Sequence, residues 1–421
     1  MKTAASRRQF LKVAGAAGVA TALGDLLPGP RAYSAEPLTI GFVSIFSGRV
    51  AALGETGFRG LELALDEIND KGGLLGRPVR AIRQDSAGKI EDAVRIARDL
   101  ITRDRVDLLM DHSSSREAFA VREVSRDLKK VTMVTASETT ELTADPKART
   151  PYTFRAARQT LHDGIVGGTY AAEVSKAKGI TKWYSASPDY AYGRASTEEF
   201  FMAVKAGLPG MQIVGQAWPK LFEPDYTAFI TKMLQDRPQA CYSALWAGDL
   251  VTFVEQGGLY GLFEQVAFFG INLADYTILR ALKKVPAGMH SGSRYLTNVP
   301  ETPANRSFGE RYEKKYKELP TNWSQECYTG MLFLAEAVRK AGSTKSEDLV
   351  KALEGMTIKA PWGAGPDGTV TMRKRDHTIV NYAIGWGQTQ PQAPWVPKTT
   401  GVSWDTIQTQ EEAYLKSKGW V

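Results

Sequence analysis

The chain is poor in the residues from which most reactive centres are built. Only 2 Cys and 4 His occur in 421 residues, which excludes a disulfide scaffold. The histidines at 112, 162, 290 and 377 are scattered, with no metal-ligand spacing. No G-x-S-x-G elbow, H-E-x-x-H or C-x-x-C occurs, and no G-x-x-x-x-G-K-S/T or G-x-G-x-x-G loop follows a strand-like run. Hydrolysis, redox chemistry and phosphoryl transfer lack their usual groups, so no enzyme activity, metal or cofactor is expected. Excess charge is scarce as well. Lys+Arg 53 against Asp+Glu 46 gives +7, but beyond residue 34 the balance is 48 against 45, or +3. Nucleic-acid binding needs clustered Lys/Arg, and none clusters.

What is present is a globular composition, 43% apolar, 24% charged and 10% aromatic, in a chain long enough for two domains and their cores. The first 35 residues read as an export signal. Ser6-Arg7-Arg8-Gln9-Phe10-Leu11-Lys12 precedes a small-residue apolar run from Val13 to Leu23, followed by Ala32-Tyr33-Ser34-Ala35. That run is well short of the ~20 residues a spanning helix needs. The paired arginines resemble the twin-arginine signal of proteins exported folded; the other reading is a basic amphipathic helix. The expected mature protein is therefore periplasmic, and Cys241 and Cys327 are expected to stay unpaired in separate regions.

Strand-like and helix-like runs alternate thereafter. Leu38–Val43 reads as strand, and Phe58, Leu61, Leu65 and Ile68 recur at helical spacing until Gly72-Gly73. The alternation continues through Val131–Thr135, then restarts at Thr181–Ser185 and runs to Val266–Gly270. A further strand is read at Ser293-Arg294-Tyr295-Leu296, followed by long helices over 305–317 and 324–340. Such a pattern predicts α/β architecture: two doubly wound Rossmann-like lobes with a ligand cleft between them. The expected division is 36–156 plus 290–357 for one lobe and 157–289 plus 358–421 for the other.

Loops at the carboxyl ends of these strands would face the cleft. Asp111-His112-Ser113-Ser114-Ser115 opens a helix, where hydroxyls and free amides either bind an anion or simply cap. Thr135-Ala136-Ser137-Glu138-Thr139-Thr140 offers a polar head-group site or an ordinary turn. In a cleft, Glu138 would select an ammonium or a hydroxyl. Tyr190 and Tyr192, with Trp246 in a second loop, either enclose an apolar ligand body or pack the lobe. Asn272 hydrogen-bonds a ligand or closes a turn.

Gly57-Phe58-Arg59-Gly60, then Glu67 through Arg77, and the later Pro188–Gly193 and Glu223–Phe229 segments resemble bacterial periplasmic leucine/isoleucine/valine-binding proteins. These are the type I solute-binding components of ABC transporters, and the likeness spans residues 38–390. The resemblance implies a carboxylate-binding serine at Ser113 beside Ser114, a backbone contact at Ala136 beside Ser137, a cleft tyrosine at Tyr192 and a second aromatic at Trp246. Phe46 and Leu53 belong to the first loop, where Leu53 replaces the usual tyrosine. Two departures alter the ammonium end: Asn272 stands where amino-acid binders have glutamate, and Glu138 where they have threonine. The resemblance implies a monomer that binds a small carboxylate and delivers it to an ABC permease. A branched-chain, hydrophobic or aromatic amino acid is the first expectation. A carboxylate or amide lacking an ammonium is the alternative, as is a ligand sensor serving a receptor.

Overall fold

The computed structural model describes residues 36–421, so the export signal lies outside the described residues. The first lobe starts with β1 (Leu38–Ser44), α1 (Ala52–Asp70), β2 (Val79–Asp85), α2 (Ile90–Thr102), β3 (Leu108–His112), α3 (Ser115–Asp127), β4 (Thr132–Val134), α4 (Glu141–Ala144) and β5 (Thr153–Arg155). Its strands pair in parallel in the order β2-β1-β3-β4-β5. Every residue of β1 is buried, as a strand covered by helices on both faces requires.

The second lobe repeats the plan with α5 (Thr160–Lys178), β6 (Lys182–Ala186), α6 (Ala191–Gly207), β7 (Gln212–Ala217), α7 (Thr227–Asp236), β8 (Ala240–Ser243), α8 (Ala247–Leu259), α9 (Leu262–Gln265), β9 (Ala267–Gly270), α10 (Tyr276–Ala281) and β10 (His290–Gly292). The chain then returns through α11 (Pro303–Tyr316), α12 (Asn322–Ala341), α13 (Ser346–Leu353), β11 (Thr357–Lys359), β12 (Thr369–Met372) and β13 (Ile379–Val380) before β14 (Trp386–Gln388) and α14 (Trp404–Lys418). The second sheet runs β14-β10-β9-β8-β6-β7, with only β14 antiparallel to its neighbour.

Two expectations need correction. The strand near 293–296 lies instead at His290–Gly292, where the His290 ring stacks on Phe269 at 4.3 Å and the backbone pairs with β9. Residues 293–296 are buried for another reason: they carry the chain from one lobe to the other, and the Tyr295 hydroxyl donates to Asn305 Oδ1 at 2.6 Å. The expected boundary at 357/358 also differs. Met356, Trp362, Val370, Met372, Ile379 and Tyr382 pack into the same core as β1 and α12, whereas Ile407, Tyr414 and Leu415 of α14 pack against the second lobe. The apolar faces of β11–β13 cover first-lobe side chains, and the chain crosses back only between β13 and β14.

Helix α12 is the first lobe's central strut, buried from Asn322 through Met331. It lies so close to α1 that a Cβ on Gly60 would fall 1.9 Å from the Ser324 carbonyl oxygen. Both cysteines are buried and unpaired. No helix among the described residues is long and apolar enough to cross a membrane.

Candidate functional site

In each sheet the strand order reverses beside the lobe's first strand, between β1 and β3 and between β6 and β8. Connections leaving the carboxyl ends of such strands diverge to opposite faces and open a crevice. The two crevices meet in one small cavity between the lobes. The first lobe supplies Leu53, Ser113, Ser114, Ser115, Ala136 and Glu138. Tyr190, Tyr192, Trp246 and Asn272 come from the second lobe, Arg294 from a crossover and Trp323 from the start of α12.

Eight sequence-predicted residues thus converge: Leu53, Ser113, Ser114, Ala136, Glu138, Tyr192, Trp246 and Asn272. Two do not line the cavity. Phe46 packs against Phe42 and Phe58, with the Arg83 guanidinium 4.9 Å from its ring centre. Ser137 turns its hydroxyl to Ser115 Oγ at 2.9 Å. Ser115 and Tyr190, within motifs singled out in the sequence, line the cavity as well. Sequence reasoning missed Arg294 and Trp323 as wall residues, and no local pattern in Ser291-Gly292-Ser293-Arg294-Tyr295 or around Trp323 marks them.

The three serines have different duties. Ser113 Oγ donates to Asp111 Oδ1 at 2.5 Å, and burial pushes the Asp111 carboxyl up to about 7, against the pull of that hydrogen bond. Ser114 caps α3: its hydroxyl donates to Glu117 Oε2 at 2.8 Å, and its backbone N–H reaches the same oxygen at 3.3 Å. Ser115 accepts from Ser137 at 2.9 Å and from Thr139 at 2.7 Å. A hydroxyl has two acceptor sites and one hydrogen, so Ser115 keeps its own hydrogen to give. It stands in the first turn of α3, where backbone amides and the helix dipole also favour an anion.

Arg294 donates through Nη2 to Glu138 Oε1 and through Nη1 to Asp163 Oδ2 at 3.1 Å. Asp163 is bridged in turn by Arg158 at 3.2 Å. Glu138 is therefore already matched by a guanidinium. Arg294 is almost fully buried, and this burial lowers its pKa to about 10, while Glu326 pulls the other way; the side chain stays charged near neutrality. Asn272 Nδ2 donates to the Tyr192 hydroxyl and to the Leu245 carbonyl, both at 3.0 Å, so its amide braces the aromatic wall. Trp246 Nε1 donates to the Tyr190 hydroxyl at 3.0 Å, and its ring meets Trp323 edge-on at 6.0 Å. Burial raises the pKa of both tyrosines, which keeps their hydroxyls protonated. The walls can enclose a flat or branched apolar body.

The cleft is closed at its mouth. Arg49 of the first lobe donates to Thr252 Oγ1 at 2.7 Å on α8 and lies 3.6 Å from Asp249. The carbonyl of Arg49 also comes close enough to α8 that a Cβ on Gly248 would sit 2.9 Å from it.

Comparison with known proteins agrees with this geometry. The periplasmic binding protein family model matches residues 37–384, and a twin-arginine translocation signal matches residues 5–24. That signal directs export to the periplasm. A Leu/Ile/Val-binding protein homolog from Brucella suis is 26% identical over 81% of this chain and 86% of its own length. A solute-binding protein of an ABC transporter from Rhodopseudomonas palustris, solved with 3,4-dihydroxybenzoic acid, superposes with a TM-score of 0.78 at 22% identity, covering 87% of this chain and 96% of that one. The branched-chain amino acid transporter substrate-binding protein of Streptococcus pneumoniae, solved with isoleucine, gives a TM-score of 0.73 at 20% identity, covering 87% and 99%. With a family model spanning nearly all of its two lobes, the chain belongs to the periplasmic binding proteins.

Proposed function

We propose that this chain is the solute-binding component of an ABC importer, a monomer that encloses a small carboxylate with an apolar or aromatic body and hands it to a permease in the cytoplasmic membrane. The carboxylate is held at the start of α3 by Ser115 and neighbouring amides, with the body against Tyr192, Trp246 and Trp323. The observation that carries the reading is the pairing of Glu138 with Arg294. An α-ammonium buried in this cavity needs an acid of its own, and the acid at hand is engaged. Relatives named or solved with branched-chain amino acids and with an aromatic carboxylate both occur, so the family accommodates either class. The amino-acid reading retains one point in its favour: Glu138 Oε2 has no hydrogen-bond partner among the described residues. Closure follows from hinge bending, with the ligand shifting the population towards the closed form.

A thermal-shift series on the mature protein tests this, because a ligand that binds only the native state raises the midpoint. Each hydrophobic or aromatic α-amino acid is paired with its des-amino acid. Stabilisation by des-amino acids supports the proposal, and stabilisation by amino acids alone replaces it with the second reading. Loss of carboxylate uptake on gene deletion separates an importer component from a sensor.

A further inference from the structure

Two buried polar atoms of cavity-lining residues stand out because their neighbours are satisfied. Arg294 uses both terminal nitrogens, on Glu138 and Asp163, yet its Nε has no partner among the described residues. Glu138 uses Oε1, yet its Oε2 has none. Both residues are only 3% exposed, and buried polar groups are nearly always hydrogen-bonded. One atom is a donor, the other an acceptor, and they belong to one ion pair.

We propose that the Glu138–Arg294 pair receives a neutral ligand group that donates and accepts at once, so that the cargo is a carboxylate bearing a hydroxyl or, by the same chemistry, a primary carboxamide. The inference rests on the carboxylate reading above. A hydroxyl gives its hydrogen to Glu138 Oε2 and takes the Arg294 Nε hydrogen on its oxygen. An ammonium has donors only and meets the guanidinium as a like charge. A second carboxylate has acceptors only and meets Glu138 as a like charge. A plain C–H leaves both atoms unsatisfied. Asp163, itself held by Arg158, fixes the guanidinium from behind, so Arg294 cannot turn aside for another ligand.

The test is calorimetric titration of the mature protein with matched carboxylates: phenyllactate, 3-phenylpropanoate and phenylalanine, then 3- and 4-hydroxybenzoate, benzoate and 4-carboxybenzoate. In at least one series the hydroxyl member is expected to bind about tenfold more tightly than its hydrogen analogue, the gain from one satisfied buried pair. The amino and dicarboxylate members are expected not to bind. Equal affinity for hydroxyl and hydrogen analogues overturns the inference while leaving the carboxylate reading intact. Failure of every carboxylate overturns both. In R294Q, Glu138 loses its counter-charge, and phenylalanine is expected to overtake phenyllactate; an unchanged order overturns the inference. If that variant does not fold, the wild-type series still decides.

Discussion

The guanidinium of Arg158 donates to the backbone carbonyl of Arg294, and the same side chain reaches the Ala383 carbonyl at 3.4 Å. Arg158, Arg294 and Ala383 lie on the three segments that join the lobes, so one side chain ties all three crossovers. Its guanidinium also lies 5.1 Å from the Tyr382 ring centre and 5.5 Å from that of Trp362.

Removing that tie should be costly. R158A leaves Asp163 buried beside a single cation and should destabilise the protein by roughly 3–5 kcal/mol, the usual result of breaking a buried pair from one side. Denaturant unfolding with an unchanged slope is the measurement. A loss below about 1 kcal/mol would show that the crossovers hold without it.

The serines at the start of α3 should separate in their effects on binding. S115A removes the hydrogen left over for a ligand and should weaken carboxylate binding by about 1–3 kcal/mol. S113A removes a group whose hydrogen already goes to Asp111, so its effect should be smaller. Titration of both variants with the same carboxylate ranks them, and the reverse order would move the anion contact to Ser113.

Stability should respond to pH in a defined direction. Burial raises Asp111 to about 7 and Glu199 to about 8, while the unfolded chain keeps both ionised down to about 4. Between these values the native state binds more protons than the unfolded state, so stability rises as pH falls through about 8 to 7. Below about 6.5 the buried histidines oppose the trend. Burial lowers His112 to about 3 and His290 to about 4, so between about 6 and 4 the unfolded chain takes up those two protons while the native state holds the two on Asp111 and Glu199, and the opposing slopes cancel. Thermal melts should therefore climb as pH falls from about 8 to 6.5 and level off below that. D111N keeps an acceptor for Ser113 and should flatten part of the alkaline limb; an unaltered limb would assign it to other groups.

The mouth of the cleft should control release more than fold. The Arg49 side chain is 38% exposed, and exposed pairs contribute little to stability. R49A should leave the melting temperature of the ligand-free protein nearly unchanged. Ligand dissociation should quicken about 2–5-fold, the kinetic equivalent of losing a surface contact in the closed form alone. Stopped-flow displacement measures it, and an unchanged rate would remove Arg49 from closure.

The alternation of strands and helices was legible because strands such as β1 and β3 are short apolar runs and helices such as α1 and α2 carry a striped face. Helices α1 and α12 could be read directly from Phe58–Ile68 and from the run after Ser324. The β11–β13 unit was not legible: its strands are two to four residues long, and what assigns them to the first lobe is packing against α12. Within the site, Ser113, Tyr192, Trp246 and Asn272 sit at strand ends, where position along the chain predicts position in space. Arg294 and Trp323 reach the cavity only because a crossover and a buried helix end there. The partners of Glu138 and Asn272 lie 156 and 80 residues away, too far for any local pattern to reveal.

The first lobe's core draws on residues from Leu38 to Tyr382, and the second sheet takes its edge strand from Trp386–Gln388. Neither lobe is a continuous stretch of chain: the first cannot close its core until about Tyr382 has been made, and the second needs β14 and α14 beyond it. An export route that carries finished structures suits such a chain, since a translocase threading it from the N-terminus would deliver two incomplete cores to the far side of the membrane.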